Sequence, residues 1–389
     1  MPRFPHVSRH AHSVSARVYS NLEARALAKH KAIYRLHVGD TYRDPVPAAR
    51  AEHQSSEEHP GLHKYARVQG EPSLIDAFLD YVTRRHGETL DRGLVQVMSG
   101  ATAGLSVVCQ VLLEPGDEVL LPSPFWPLSR GVIATKGAVP VEVPFYTKLD
   151  EPDFDVEALL ESAVTGRTVA LYINTPNNPS GQVLSDPTID AMLRVAKRHD
   201  LWVLCDEAYE EIYFDREPPD AVWKRPDIRD RAIAFHTLSK TYGFAGARVG
   251  FTHGPEGIMD AVRGMQTFHT YCAPRPMQFG GVEALRQGGA WIEESRVVYR
   301  DAGYEAADTL GVPRPAGGTF LFLDVSEHLN PDEPDCTSFL ERCADEGVLL
   351  TPGRSCGADY AKWIRLCFTA VPPAQLAEAL EKLGPLFRT

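Results

Sequence analysis

The chain has 389 residues, of which 43% are hydrophobic and 24% are charged, and its formal net charge is −12. This length allows two domains with substantial cores, and the composition is that of an ordinary globular enzyme. The sequence has no apolar run near the ~20 residues that cross a bilayer, and its acidic balance argues against a nucleic-acid partner, which needs a basic face.

The seven cysteines give an expectation about the cellular compartment. Their number is odd and no two of them form a CxxC pair, so we expect reduced thiols in a cytoplasmic protein and no structural zinc site. Residues 1–17 are basic and contain histidines but no apolar segment, so a secretory signal is not expected there.

The first predicted elements are a strand and a helix. Residues 33–40 are predicted to form a strand that ends at Gly39, within an N-terminal arm. Tyr65 follows this arm. A helix is predicted from Pro72 to Gly87, because proline suits a first helical turn, the apolar residues between them share one face, and glycine can end a helix.

A corner of small residues joins the next strand and helix. Residues 95–98 are predicted to be a strand, 99–104 a glycine-containing corner, and 105–113 an apolar helix. Such a corner leaves backbone N–H groups unpaired at the start of a helix, where the helix dipole also favours a phosphate. Tight packing is the alternative interpretation of this pattern.

Two later strands end in side chains suited to an aromatic ligand. One strand ends in prolines with the aromatic pair Phe125 and Trp126, and either ring could offer a flat π-face. Residues 168–181 form a β-branched run followed by an Asn/Pro turn. That turn would place the amide of Asn177 or Asn178 in the crevice at the carboxyl ends of the strands.

An acid follows the next buried strand directly. Residues 201–205 are apolar and lead into Asp206, with Glu207 and Tyr209 close behind. A buried carboxylate is costly unless it is paired, and a protonated pyridine nitrogen would pair it. Glu207 is expected to have a structural role.

Lys240 is the residue that suggests a cofactor. Residues 233–250 read as a buried strand, a hydroxyl-rich corner with Lys240, and a glycine-spaced turn with Arg248. A lysine amine can form a Schiff base with an aldehyde, and the planar fork of an arginine can clamp a phosphate. An aldehyde and a phosphate on one small molecule suggest pyridoxal phosphate (PLP). A solvated lysine at a strand end is the alternative.

The last third of the chain, residues 311–389, changes to short strands and helices. Arg365 stands within the apolar run 363–368, where an arginine must bind a carboxylate or reach water. A surface ion pair is the alternative for Arg365. The alternation of strands and helices between residues 95 and 250 predicts a mostly parallel sheet with helices on both faces.

These motifs occur in the order found in the class I/II aminotransferases, the fold-type I PLP enzymes, which the chain resembles over residues 30–385. Ser239-Lys240 with Arg248 is similar to the lysine signature of that family. The sequence departs from the family where Thr237 replaces the usual Ser or Gly, which keeps a hydroxyl. It also departs after Gly39, where the usual Glu-Pro-Asp-Phe is missing and the loop is expected to differ.

The resemblance implies a PLP cofactor and a role for each matching residue. It implies that Lys240 is the catalytic amine and that Asp206 and Tyr209 act with it on the pyridine ring. The other cofactor contacts that it implies are Gly100, Ala101, Thr102, Trp126, Asn178, Thr237, Arg248 and Tyr65. It also implies that Gly39 and Arg365 contact the substrate, the latter through the α-carboxylate, and it implies no metal.

The resemblance further implies an α/β fold of the fold-type I PLP-transferase class. Its large PLP-binding domain would span residues 51–285, and residues 1–50 and 286–389 would supply the arm and a smaller α/β domain. Tyr65 would reach the cofactor phosphate of the neighbouring subunit, so a homodimer is expected.

The implied activity is transfer of an amino group from an L-amino acid to a 2-oxo acid. Aspartate or a broad set of amino acids is the expected donor, with 2-oxoglutarate as the acceptor. A carbon–sulfur lyase or an amino-acid hydroxylase or oxidase on the same fold would use the same groups. A non-catalytic PLP-binding regulator is disfavoured, because only about 30 residues precede the core and the charge is acidic.

One further hypothesis concerns substrate choice. Residues 15–18 resemble a family segment near the site entrance, usually Ser-Ala-Thr-Val, with Arg17 in place of the threonine. Arg17 would then face the distal group of an acidic substrate. An exposed arm arginine is the alternative. The turn at 269–274 is expected at the mouth of the site, without an assigned role.

Overall fold

Two β-sheets form the frame of the computed structural model, which describes residues 20–218 and 220–388. The strands of the larger sheet are β1 Val95–Met98, β2 Glu118–Ser123, β3 Val139–Pro144, β4 Thr168–Asn174, β5 Trp202–Asp206, β6 Ala232–Thr237 and β7 Gly250–His253. The smaller sheet contains β8 Phe320–Asp324, β9 Thr351–Pro352 and β10 Trp363–Cys367.

The larger sheet is mostly parallel, as the sequence predicts. Its strand order is β1-β7-β6-β5-β4-β2-β3. The five strands from β2 to β6 run parallel, and β7 is antiparallel to both of its neighbours. Because parallel strands end at one edge of a sheet, Asn174, Asp206 and Thr237 all end their strands on the same side.

Helices cover both faces of this sheet. The helices are α1 Ser20–Lys29, α2 Pro72–His86, α3 Ala101–Leu112, α4 Pro127–Ala134, α5 Val156–Ala163, α6 Asp186–Arg198, the single turn α7 Leu238–Thr241, α8 Glu256–His269, α9 Arg275–Gln287, α10 Gly289–Leu310, α11 Thr337–Asp345 and α12 Pro373–Leu383. One core contains residues of α2, α5, α6 and α9, and a second contains residues of α3, α4 and α8.

The alternation of side chains along the strands explains these two cores. In β4, Leu171 and Ile173 belong to the first core, whereas Ala170 and Tyr172 belong to the second. Successive residues of a strand point to opposite faces, and a parallel strand is buried on both. A third core packs α10, α11 and α12 against the smaller sheet. Within the described ranges, no helix is both long and apolar enough to span a membrane.

Two local predictions differ from the structure. Residues 33–40 do not form a regular strand, because only Tyr34 makes a bridge, to Val348, before the chain turns. Helix α3 begins at Ala101 rather than at residue 105. The carbonyl of Gly100 already accepts a hydrogen bond from the N–H of Ala103 at 3.1 Å, so the corner itself is the first helical turn.

Candidate active site

A cavity of about 200 Å³ opens at the edge where the parallel strands end. Residues of both sheets and of the segments between them surround it. The lining residues are Gly39, Ala101, Thr102, Leu105, Trp126, Tyr172, Asn178, Asp206, Ala208, Tyr209, Phe235, Thr237, Ser239, Lys240, Arg248 and Arg365. Residues from the arm, the large sheet and the C-terminal third therefore meet at one place.

Lys240 lies on the single turn α7, which begins directly after β6. Its Nζ donates a hydrogen bond to the backbone carbonyl of Gly39 at 2.5 Å. Burial lowers the pKa of Lys240, and the nearby carboxylate of Asp40 partly opposes that effect. The amine is therefore deprotonated more easily than an ordinary lysine, as a nucleophile or a general base must be.

Asp206 ends β5 and presents its carboxylate to the cavity. One oxygen accepts a hydrogen bond from Tyr172, and the other accepts one from the N–H of Ala208 at 3.1 Å. Burial raises the pKa of Asp206, and the hydrogen bond from Tyr172 opposes this rise. Among the described residues, no lysine, arginine or histidine forms a salt bridge with Asp206. A cationic ligand group in the cavity would stabilise it.

Arg365 carries the opposite charge in the same cavity lining. Its side chain is buried within β10, with Cζ 4.4 Å from the ring centroid of Phe320. Nη1 donates to Oδ1 of Asn178 at 3.0 Å, and Nη2 donates to the carbonyl of His37 at 3.1 Å. In the part of the chain that the structure describes, no carboxylate pairs with this guanidinium. A substrate carboxylate would supply the missing charge.

Two glycines allow close packing at the corner before α3. Gly100 has φ 83°, and a Cβ there would lie 2.5 Å from Nη2 of Arg248. A Cβ on Gly250 would lie 3.0 Å from the backbone nitrogen of Ala101. Arg248 itself has φ 55° and donates to the carbonyl of Ala245 at 2.8 Å. The backbone start of α3 and this guanidinium are groups that would suit a phosphate.

The remaining predicted ring contacts also line the cavity. Trp126 lies at the start of α4, whereas Phe125 is fully buried in a core. Tyr209 is buried, and burial raises the pKa of its hydroxyl well above the ordinary value. Asn178 lines the cavity, but Asn177 is held in the turn by a bond from its amide to the carbonyl of Pro124 at 3.3 Å.

Two predicted cofactor contacts, Gly100 and Tyr65, are not among the lining residues. Gly100 directly precedes the lining residue Ala101, whereas Tyr65 lies elsewhere on this chain. Its side chain is 83% exposed and packs edge-on against Tyr271, with ring centroids 5.1 Å apart. It lines a shallow surface groove together with Ser99 and Cys272. Tyr271 belongs to the turn at 269–274, which therefore borders Tyr65 rather than the cavity. Arg17 lies outside the described residues.

Several lining residues were missed by the sequence analysis. They are Leu105, Tyr172, Ala208, Phe235 and Ser239. Tyr172 is the most informative of these, because its hydroxyl contacts Asp206 directly. A signal for it existed. Tyr172 stands two residues before the end of β4, so the period of two along a strand places it on one face with the final Asn174.

The arrangement fits PLP on chemical grounds. The cavity combines a phosphate site at Arg248, an easily deprotonated amine at Lys240, and an unpaired carboxylate at Asp206. An unpaired guanidinium at Arg365 completes the set and suits an α-carboxylate. A pyridine aldehyde phosphate bound to an amino acid carries complementary groups for all four.

Comparisons with known proteins agree with this chemistry. The sequence model of aminotransferase class I and II matches residues 31–383. The chain is 33% identical over 358 residues to arginine–pyruvate transaminase of Pseudomonas aeruginosa, covering 89% of this chain and 88% of that protein. It is 30% identical over 336 residues to aspartate/prephenate aminotransferase of Thermus thermophilus, covering 83% of each. A double mutant of the aspartate aminotransferase of Thermus thermophilus superposes with a TM-score of 0.87 at 26% identity, covering 98% of this chain and 99% of the other.

Proposed function

This chain belongs to the class I and II aminotransferases and is a PLP-dependent transaminase, and from that premise we propose a donor, an acceptor and a role for each cavity residue. The donor is aspartate or a broad set of L-amino acids, and the acceptor is 2-oxoglutarate. One observation carries the assignment of roles. The cavity has an unpaired carboxylate at Asp206 and an unpaired guanidinium at Arg365, with the amine of Lys240 in the same lining.

The residues that would hold PLP are those whose chemistry matches its groups. Arg248, Thr237 and the start of α3 at Gly100, Ala101 and Thr102 would bind the phosphate. Trp126 would cover the ring, and Asn178 and Tyr209 would donate to its oxygen. Asp206 would keep the ring nitrogen protonated. When bound, the protonated ring accepts the electron density that develops when the substrate Cα–H bond breaks.

The chain's own groups then have distinct tasks. Arg365 binds the α-carboxylate in its planar fork, and Gly39 lines the same cavity, so the substrate is held in one orientation. Lys240, with its lowered pKa, would take the proton from the substrate Cα and deliver it to the cofactor carbon that is bonded to the substrate nitrogen. Water would then release the 2-oxo acid, and the amino group would stay on the cofactor. The 2-oxo acid acceptor makes the same contacts, and the proton then moves in the opposite direction.

Two donor and acceptor pairs deserve a direct comparison. The Thermus thermophilus relatives are named for aspartate, and the Pseudomonas aeruginosa relative is named for arginine and pyruvate. The experiment adds single amino acids to the purified holoenzyme with no 2-oxo acid and follows the cofactor absorbance. Aspartate should replace the absorbance band of the PLP form with that of the pyridoxamine phosphate form. Addition of 2-oxoglutarate should restore the band of the PLP form. If arginine were the only amino acid that converts the cofactor, and pyruvate the only 2-oxo acid that restores it, arginine and pyruvate would take the place of the proposed donor and acceptor.

We also propose that the active unit is a homodimer in which Tyr65 acts on the partner's site. Its support is that Tyr65 is exposed and does not line the cavity of its own chain. Mixed dimers of Lys240→Ala and Tyr65→Phe chains test this. If Tyr65 acts across the interface, one site of each mixed dimer is intact and about half of the wild-type activity returns. If it acts within its own chain, neither site is intact.

Two further assignments, the domain limits and the compartment, complete the proposal. We propose that the large domain spans residues 51–285 and that 1–50 and 286–389 form the arm and the small domain. The compartment is proposed to be the cytoplasm, in keeping with the free thiols of all seven cysteines. Limited proteolysis of the apoenzyme tests the domain limits, and fractionation of the producing cells tests the compartment.

A further inference from the structure

The ring of Phe320 borders three residues of the cavity lining, although Phe320 is not itself a lining residue. Phe320 begins β8 and is fully buried. The Cζ atom of Arg365 lies 4.4 Å from the centroid of this ring. The ring of Tyr209 meets it edge-on, with centroids 6.0 Å apart. A Cβ on Gly39 would lie 2.8 Å from the tip of the ring, so the tip leaves no room for a side chain there.

The pairing of β8 with β10 explains why this ring reaches Arg365. The register places Phe322 opposite Arg365, and Phe320 opposite Cys367 two positions along. Residues that are opposite or two apart share a face of the sheet, so both phenylalanines lie on the face of the arginine. The guanidinium lies over the diagonal neighbour, Phe320. The ring of Phe322 instead stacks on that of Trp363, with centroids 5.0 Å apart. The two phenylalanines thus share a strand and a face but cover different side chains.

Hydrogen bonds hold the edge of the Arg365 guanidinium, and the ring covers its face. Nη1 donates to Oδ1 of Asn178 at 3.0 Å. Nη2 donates to the carbonyl of His37 at 3.1 Å and to Oγ1 of Thr351 at 3.3 Å. A guanidinium has five N–H groups, so donors remain for a ligand. The face of a guanidinium is weakly hydrated and is attracted to the negative face of an aromatic ring.

We propose that Phe320 is a positioning residue whose ring fixes the plane of the Arg365 guanidinium for the substrate α-carboxylate. This inference rests on the proposed contact between Arg365 and that carboxylate. A bidentate pair needs the carboxylate and the guanidinium in nearly one plane. Hydrogen bonds at the edge allow that plane to tilt, and the ring against its face resists the tilt.

Packing alone is the competing explanation for Phe320. Its ring belongs to the core that joins the smaller sheet to α10, α11 and α12. A packing role requires only the volume and shape of the ring, whereas positioning of a cation requires its negative face. The two explanations therefore differ when the charge on the face is changed and the shape of the ring is kept.

The first test places 3,5-difluorophenylalanine at position 320 of the holoenzyme. The fluorines withdraw charge from the face, and the tip that borders Gly39 keeps its hydrogen. The KM for L-aspartate, or for L-arginine if arginine is the donor, should rise about threefold, and Phe320→Leu should raise it about tenfold. The kcat should be nearly unchanged, because the carboxylate contact is made equally in the bound substrate and in the transition state.

Phe322 is the matched control for this test, since it shares the strand and the face with Phe320 but stacks on Trp363. Difluorophenylalanine at position 322 and Phe322→Leu should both leave the KM at the wild-type value. A rise equal to that at position 320 would show that packing of the smaller sheet determines the KM, and the proposal would be wrong.

The second test combines changes at Phe320 and Arg365. In Arg365→Met the cation is absent, so difluorophenylalanine at position 320 should have no further effect on the KM. An equal rise in that background, or an unchanged KM when the arginine is present, would overturn the role of Phe320 and leave that of Arg365 intact. A wild-type KM in Arg365→Met alone would instead show that Arg365 does not bind the α-carboxylate, and both assignments would fail.

Discussion

The hydroxyl of Tyr172 donates a hydrogen bond to the carboxylate of Asp206. Tyr172 lies two residues before the end of β4 and Asp206 ends β5, so the contact joins neighbouring parallel strands at the edge of the cavity. Burial raises the pKa of Asp206, and this hydrogen bond is the first of the contacts that lower it. Tyr172 therefore helps to keep Asp206 an anion.

Tyr172→Phe should lower kcat about tenfold and leave KM nearly unchanged. Loss of a hydrogen bond to a charged group is equivalent to roughly 1.5 kcal/mol, or about one pKa unit of extra basicity at Asp206. Steady-state kinetics over a range of pH measure the effect. Tyr146→Phe is the matched control, since this buried hydroxyl donates to the carbonyl of Asn174 at 2.8 Å. An equal loss in both variants would show that the effect comes from packing.

Arg365→Lys should raise the KM for the amino acid about 100-fold, because a lysine cannot reproduce the two parallel bonds of the guanidinium, a loss of roughly 3 kcal/mol. The measurement compares an amino acid with the amine that lacks its α-carboxylate. Only the amino acid should be affected. Arg354→Lys, at an exposed position of the same C-terminal region, is the control. A similar loss for the simple amine would contradict a contact with the carboxylate.

Much of the candidate site could be predicted because its signals are local in the chain. Lys240, Asp206 and Asn178 each stand at the end of an apolar strand or in the turn after it, and parallel strands bring such ends together. The helix α2 was predictable for a similar reason, since Pro72 and Gly87 mark its two ends.

The missed contacts depend on residues that are distant in sequence. Arg365 meets Asn178 across 187 positions, and no pattern near either residue indicates that pairing. The predicted strand at 33–40 failed for a related reason. Only Leu36 and His37 of that segment are buried, and the carbonyl of Leu36 accepts a hydrogen bond from the N–H of Cys367 at 2.8 Å, so its apolar residues reflect a local contact with the smaller sheet and not a ladder.

Gly100→Ala should weaken PLP binding at least tenfold, equivalent to about 1.4 kcal/mol. The added Cβ would lie 2.5 Å from Nη2 of Arg248 and would push the guanidinium away from the phosphate site. Titration of the apoenzyme with PLP measures the dissociation constant. Gly116→Ala is the control, because Gly116 has φ 97° and nothing within 4 Å of a Cβ. It shares the backbone strain but not the contact, so equal weakening in both would contradict the steric explanation.

His253 gives the apoenzyme a predictable dependence of stability on pH. Burial lowers its pKa well below the ordinary value, and the charge of His236 lowers it further. Below about pH 6.5 the unfolded chain therefore binds a proton at this histidine and the folded chain does not. In that range the free energy of unfolding must decrease as the pH decreases, by up to about 1.4 kcal/mol per pH unit for this one group.

His253→Gln should remove that contribution. The free energy of unfolding of the apoenzyme, measured with urea at pH 7, 6 and 5, should decline less steeply in the variant, by about 1.4 kcal/mol per pH unit at most. Comparing slopes rather than absolute values separates the titration from the packing that the substitution changes. His53→Gln, at an exposed histidine, is the control and should keep the wild-type slope. If His253→Gln also keeps that slope, then His253 accepts a proton in the folded state as readily as in the unfolded chain, and burial does not lower its pKa.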